Sequence, residues 1–146
     1  MKKCLLLSIL ALGGLVLLSA QTAAEMETLL NTQTVTYEQA VRFVLEAAEA
    51  ATIADPAEAF QFAQENNWLP KGVSPETPAR LDGVSLLFMR SFGLKGGIFY
   101  SIFKNPHYAY RELVYRTAIQ GRVDPRMAVS GYQLLFITNR ILESNE

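Results

Sequence analysis

The chain has 146 residues, half of them apolar, and its 13 basic and 14 acidic side chains leave a net charge of −1. That balance is too mild to argue for a nucleic-acid partner. One cysteine and one histidine are too few for an ordinary zinc or iron site, and the cysteine sits in the leader described next.

Lys2 and Lys3 precede an apolar run from Cys4 to Leu18, and Ser19-Ala20 follows with small residues suited to cleavage. This is the charged, apolar, small-residue order of a secretory signal peptide. The run of about 15 residues is short of the roughly 20 a spanning helix needs. Residues 1–20 are therefore expected to be removed, with cleavage after Ala20 or near Ala24, and the protein to reach the periplasm or cell envelope. Membrane contact is expected only through this leader. Cys4 lies too early to be a lipoprotein cysteine, so the remaining chain has no thiol and stands on its core alone. Without Lys2 and Lys3 the balance is 11 bases against 14 acids. It is uneven: nine acids and two bases from Glu25 to Glu76, five acids and nine bases from Thr77 to Glu146.

Residues 21–34 are polar and read as a frayed lead-in, with a single helical domain over 35–143. Thr36-Tyr37-Glu38-Gln39 is a capping box, in which the threonine hydroxyl accepts from the third amide and the glutamine reaches back. Ala40, Val41, Val44, Leu45 and Ala48 follow at helical spacing, predicting a helix from Thr36 to about Ala51. Asp55-Pro56-Ala57-Glu58 combines an N-cap, a proline at the first helical position and an acid in the first turn. That helix should run to about Asn67. Thr77-Pro78 repeats the cap-plus-proline start, with Leu81, Val84, Phe88 and Phe92 as the buried stripe. Three glycines between Gly93 and Gly97 break the chain. Ile98 to Phe103 is strongly apolar and too short for periodicity to separate strand from helix. A buried plug is the commoner fate of such a segment; a membrane or partner patch is the other.

Asn105-Pro106 opens a fourth helix through Tyr110, Leu113, Val114 and Ala118, ending at Gly121. Glu112 and Arg116 stand at the i,i+4 spacing of an ion pair. Asp124-Pro125 turns the chain. Ser130-Gly131-Tyr132-Gln133 offers a second capping box before Leu134, Leu135, Ile137 and Ile141, and Glu143 to Glu146 should fray. The expected class is all-α with about five helices.

Much of 55–92 is written again from 105 to 142. Asp55-Pro56 matches Asn105-Pro106, Ala59-Phe60 matches Ala109-Tyr110, and Gly83-Val84-Ser85-Leu86-Leu87-Phe88 matches Gly131-Tyr132-Gln133-Leu134-Leu135-Phe136. The offset drifts from 50 to 48, which needs two single-residue loop deletions. A period near 50 is one at which stacked supersecondary units are expected: two helix-loop-helix repeats plus an extra N-terminal helix.

Each unit reads helix, apolar-to-glycine exit, loop, then a polar-capped apolar helix, and in this it resembles S-layer homology (SLH) modules. Ala79-Arg80-Leu81-Asp82 is similar to the SLH signature, with arginine second and an acid fourth. Thr36-Tyr37-Glu38-Gln39 resembles its opening without the arginine, and Met127-Ala128-Val129-Ser130 has lost both arginine and acid. The aromatic at Phe99 or Phe103 and the Ile119-Gln120-Gly121 exit also fit. The resemblance implies a central bundle of the helices from Thr36, Thr77 and Asp124. The helices from Asp55 and Asn105 would lie outside it, and a third outer helix would be missing. SLH modules tether exported proteins to wall polysaccharide through pockets between repeats, which makes Arg80 the implied ligand contact.

Arg111, Arg116, Arg122 and Arg126 crowd the fourth helix and its exit, where guanidinium forks suit an anionic sugar or a peptidoglycan carboxylate. A solvated face with local ion pairs is the plainer reading. Trp68 beside Pro70 is either a sugar-stacking platform or core filler. His107 reads as an exposed first-turn residue. No Gly-x-Ser-x-Gly elbow surrounds a serine. Glu38, Asp82, Glu112 and Asp124 are the carboxylates left for glycoside cleavage, and nothing in their spacing favours it. The expectation is thus a non-enzymatic module with no catalytic residue, metal or cofactor. It would bind cell-wall glycan through Arg80, Trp68, Arg111, Arg122 and Arg126, or, that site being lost, another envelope protein.

Overall fold

The structure, a computed structural model, describes residues 22–144. The expected leader and its cleavage site at Ala20 lie outside the described residues, as do residues 145–146. Among the described residues the chain is all-helical. The helices are α1 (22–31), α2 (Tyr37–Ala47), α3 (Pro56–Glu65), α4 (Leu81–Ser91), α5 (Ile98–Phe103), α6 (Pro106–Tyr115) and α7 (Gly131–Ser144). That is two more than the caps predicted: α1 falls in the expected lead-in, and α5 starts after Gly97 without a side-chain cap.

Where a cap is local, it works as chemistry demands. Thr36 and Gln39 form the reciprocal box at the start of α2. Asp55 accepts from the Ala57 amide at 2.8 Å and Asn105 from that of Tyr108 at 3.0 Å. Ser130 and Gln133 exchange the same pair of bonds before α7.

Three extended segments ahead of α2, α4 and α7 meet in a closed ring of backbone hydrogen bonds. The Ala79 amide donates to Val35 at 2.8 Å, Val35 to Val129 at 2.9 Å, and Val129 to Ala79 at 2.9 Å. All three residues are fully buried, so this ring sets backbone polar groups inside a largely apolar core. Around it the first amides of each helix find carbonyls of the next segment: Tyr37 to Thr77, Leu81 to Met127, and Gly131 to Thr32. These are the donors a helix N-terminus cannot satisfy internally.

This corrects the predicted start of α4. Thr77 does not cap it; its hydroxyl oxygen accepts from the Ser74 amide at 3.0 Å and closes a turn around Pro75. Pro78 is extended and bridges to Thr36. Arg80 is the N-cap and makes no side-chain cap bond, since a guanidinium has no acceptor; the Leu81 and Asp82 amides donate instead to the Met127 and Pro125 carbonyls. Likewise α7 starts at Gly131, and Asp124 belongs to the turn before it.

The register is also corrected. Equivalent positions stay 50 apart throughout: Asp55 and Asn105 as caps, Asn67 and Thr117 at positive φ, Pro75 and Pro125 in turns, Ala79 and Val129 in the ring. Leu87 therefore matches the buried Ile137, not Leu135, which is only half-buried. No loop deletion is needed.

Eight of the eleven residues of α4 are buried, as suits a helix with neighbours on several sides. It packs against α2 and α6, while α2 also meets α3 and α7. The supposed lead-in is α1. Leu29 packs on the core, Glu25 pairs with Arg42 of α2 at 3.2 Å, and a Cβ on Gly131 would run into the Leu29 carbonyl. An outer helix thus lies against the start of α7, where none was expected. Helix ends are shorter than predicted: α2 stops at Ala47, α3 at Glu65 and α6 at Tyr115, the last well before Gly121. Positive-φ residues follow each (Glu49, Asn67, Thr117). Helix α7 runs on through Glu143 and Ser144 instead of fraying.

Candidate functional site

The ring brings together the start of α4 and the turn before α7. Arg80 is bridged to Ala128 through backbone, and the Asp82 amide donates to the Pro125 carbonyl at 2.8 Å. Arg126 follows Pro125, so two of the five predicted residues share one end of the molecule. Both are exposed. The Arg80 guanidinium is held at 2.6 Å by Asp82, in the first turn of the same helix. A cation at a helix N-terminus opposes the helix dipole, and the neighbouring acid offsets that. Beneath it lies Tyr37, fully buried, whose hydroxyl oxygen accepts from the Arg80 amide at 3.4 Å. Burial pushes the Tyr37 phenol above its ordinary value; the amide donor and the Arg80 charge pull the other way, and Asp82 adds to the rise. Gly83 gives this tyrosine room, since a Cβ there would strike both its hydroxyl and Pro70.

Arg111 lies exposed on α6 and Arg122 exposed in the loop after it. Among the described residues the guanidinium groups of Arg111, Arg122 and Arg126 have no ion-pair partner. The α6 exit is tied back by the Tyr110 hydroxyl, which donates to the Val123 carbonyl at 2.6 Å. The anticipated Glu112–Arg116 ion pair does not form. Glu112 instead accepts from the Gly97 amide at 2.8 Å, and the Arg116 guanidinium donates to the Lys95 carbonyl. Both side chains are more useful holding the 95–97 loop than screening each other in water.

Trp68 is half-buried and meets Phe62 edge-on at 5.5 Å, so its indole is part of the packing under α3. Of the carboxylates, Asp82 is engaged by Arg80 and Asp124 accepts from the Arg126 amide at 2.8 Å.

Two grooves escaped the sequence reading. The larger, of about 1010 Å³, runs between α1, α2 and α7 and is lined by Met26, Leu29, Phe43, Leu135 and Leu142, with Glu25 and Arg42 at its edge. Met26 and Leu29, three residues apart, were the available signal for it. The smaller, of about 110 Å³, lies between the α6 exit and α7, against Gln120, Tyr132, Gln133 and Phe136. None of the five predicted residues lines either groove.

The apolar segment Ile98 to Phe103 is not a buried plug. It forms α5, with only Tyr100 inside and Ile98, Phe99, Ile102 and Phe103 facing out. Among the described residues no helix is long and apolar enough to cross a membrane. Compared with known protein families, curated proteins and solved structures, the chain shows no match.

Proposed function

We propose that the chain is an exported, non-enzymatic binding module of the cell envelope, built on a degenerate SLH-like scaffold of repeated helix-loop-helix units. The observation that carries this reading is the ring at Val35, Ala79 and Val129. Three equivalent loops meeting around one point create an end of the molecule where segments from successive units lie side by side. In SLH modules the places between repeats take wall polysaccharide. Here Arg80 and Arg126 occupy that end and offer two guanidinium forks to a carboxylate or acidic ketal of a wall polymer. The leader-like N-terminus supports the address.

The test is retention of the protein on purified cell walls with and without their polysaccharide. Retention should fall on stripped walls, and Arg80→Lys should weaken it while melting stays nearly unchanged, since lysine keeps the charge and loses the fork. Retention that survives Arg80→Lys together with Arg126→Lys would sink the arginine site.

A second reading, an envelope protein–protein or assembly module without glycan binding, is favoured by two observations. Asp82 already engages one nitrogen of the Arg80 guanidinium, and both grooves are bordered by apolar side chains rather than by the candidate arginines. No retention on walls or peptidoglycan at low salt would leave this reading in place of the first.

A further inference from the structure

The four outward side chains of α5 make an exposed apolar surface with a definite shape. Ile98 is 77% exposed, Phe99 61%, Ile102 67% and Phe103 56%. They stand at i, i+1, i+4 and i+5, so one face of the short helix is wholly apolar. Tyr100 points the other way and is buried, seating the helix. The surface is held in place from below. Phe99 and Phe103 both stack on Tyr108 of α6, at 5.6 and 5.4 Å between ring centres. The preceding loop is fastened by Glu112 to the Gly97 amide and by Arg116 to the Lys95 carbonyl. Ser101 ties back to the Gly96 carbonyl at 3.2 Å. So many fastenings around exposed isoleucines and phenylalanines make this a preorganised contact surface.

Charge says what kind of contact. From Arg90 to Arg116 there are five bases and one acid, and that acid, Glu112, is committed to the Gly97 amide. Lys95 and Lys104 flank α5 and are both exposed, and Arg111 is exposed on α6. An apolar, phenylalanine-bearing face bordered by lysines matches the boundary of a bilayer with anionic headgroups, where apolar side chains enter the acyl region and cations meet phosphate. A second copy of the chain fits less well. Four such side chains offer on the order of 500 Å², short of the roughly 800 Å² per partner of a stable interface. Like charges would also face each other across it.

We propose that α5 and its flanking loops are a membrane-surface anchor: Ile98, Phe99, Ile102 and Phe103 enter an anionic leaflet, and Lys95 and Lys104 bind its headgroup phosphates. This stands apart from the wall-binding reading, since it uses neither Arg80 nor Arg126 and holds whichever partner the ring end takes.

The test uses the full chain carrying Trp68→Phe and Phe99→Trp, so that a single indole reports from the surface. It is mixed with vesicles of phosphatidylcholine, with and without phosphatidylglycerol, whose acyl chains carry bromine. Tryptophan emission should shift to the blue and be quenched on the anionic vesicles. Lys95→Glu with Lys104→Glu, or raised salt, should reduce the quenching several-fold with the helical circular dichroism unchanged. Because Cys4 to Leu18 could hold an unprocessed chain on vesicles by itself, the position of the reporter is decisive. Protein that sediments with anionic vesicles but leaves the indole unquenched overturns the proposal, as does protein that stays in solution. A lipid-free dimer that Ile102→Asp dissociates would assign the surface to a second copy and overturn it equally.

Discussion

Tyr37 joins the core to the candidate site. Its ring is buried among apolar residues and its hydroxyl oxygen accepts from the amide of Arg80, forty-three residues on. Tyr37→Phe leaves that amide without its partner and should cost about 1 kcal/mol in urea unfolding at neutral pH. The substitution should also change the alkaline limb. Burial raises the phenols of Tyr37 and Tyr100 above their unfolded value. Folding therefore favours the protonated forms; this stability is complete below roughly pH 10 and is lost as pH climbs through the raised values. Melts between neutral and alkaline pH should show a shallower decline for Tyr37→Phe than for the wild type, and equal slopes would mean that Tyr37 ionises as freely folded as unfolded. By contrast the Arg80–Asp82 pair, though short, is about half-exposed on the arginine side. Such a pair contributes only ~0–1 kcal/mol. This is why Arg80→Lys can test binding without unfolding the protein.

At the scale of the helices, the register of α4 against α7 makes the sharpest distinction. Letter-by-letter similarity aligns Leu87 with Leu135, whereas hydrogen bonds and burial align it with Ile137. Leu87→Ala and Ile137→Ala should each cost ~2–5 kcal/mol, while Leu135→Ala, at the border of the open groove, should cost less than about 1.5 kcal/mol. Denaturant melts giving Leu135 the larger loss would restore the 48-residue register. The resemblance between the two strings misled because leucine and phenylalanine fill both buried and groove-facing positions here. Identity of letters is a weaker guide than the three- and four-residue spacing of what is buried. Caps were read more accurately. Thr36, Asp55, Asn105 and Ser130 all bond within three residues of themselves, so no distant partner could override them.

For the molecule as a whole, the ring and α1 decide how the ends are joined. Gly131 lets α7 approach the Leu29 carbonyl and donates to Thr32 at 2.9 Å. Gly131→Ala should push α1 off α7, so that amides of 22–32 exchange faster with deuterium while those of α4 keep their protection. Unchanged exchange over 22–32 would show that α1 does not depend on this contact. The proposed address has its own check. Mass spectrometry of the protein from its native cell should find an N-terminus between Gln21 and Glu25, and an intact Met1 in a cytosolic fraction would sink export.

Local chemistry along the chain was enough for the all-helical class, for four helix starts and for the turn at Pro125, because each depends on atoms a few residues apart. It was not enough for the start of α4. Leu81 and Asp82 take carbonyls from Met127 and Pro125, and those partners exist only once the ring closes, so Thr77 never acts as a cap. Nor did it show what α1 packs against, since Met26 and Leu29 meet α2 and α7 only in the folded chain, or the separation of the arginines from both grooves. The outward face of α5 is the clearest case. The same six apolar letters serve equally as plug or surface, and what turns them outward is a set of bonds and ring stacks to α6, made across a loop rather than along it.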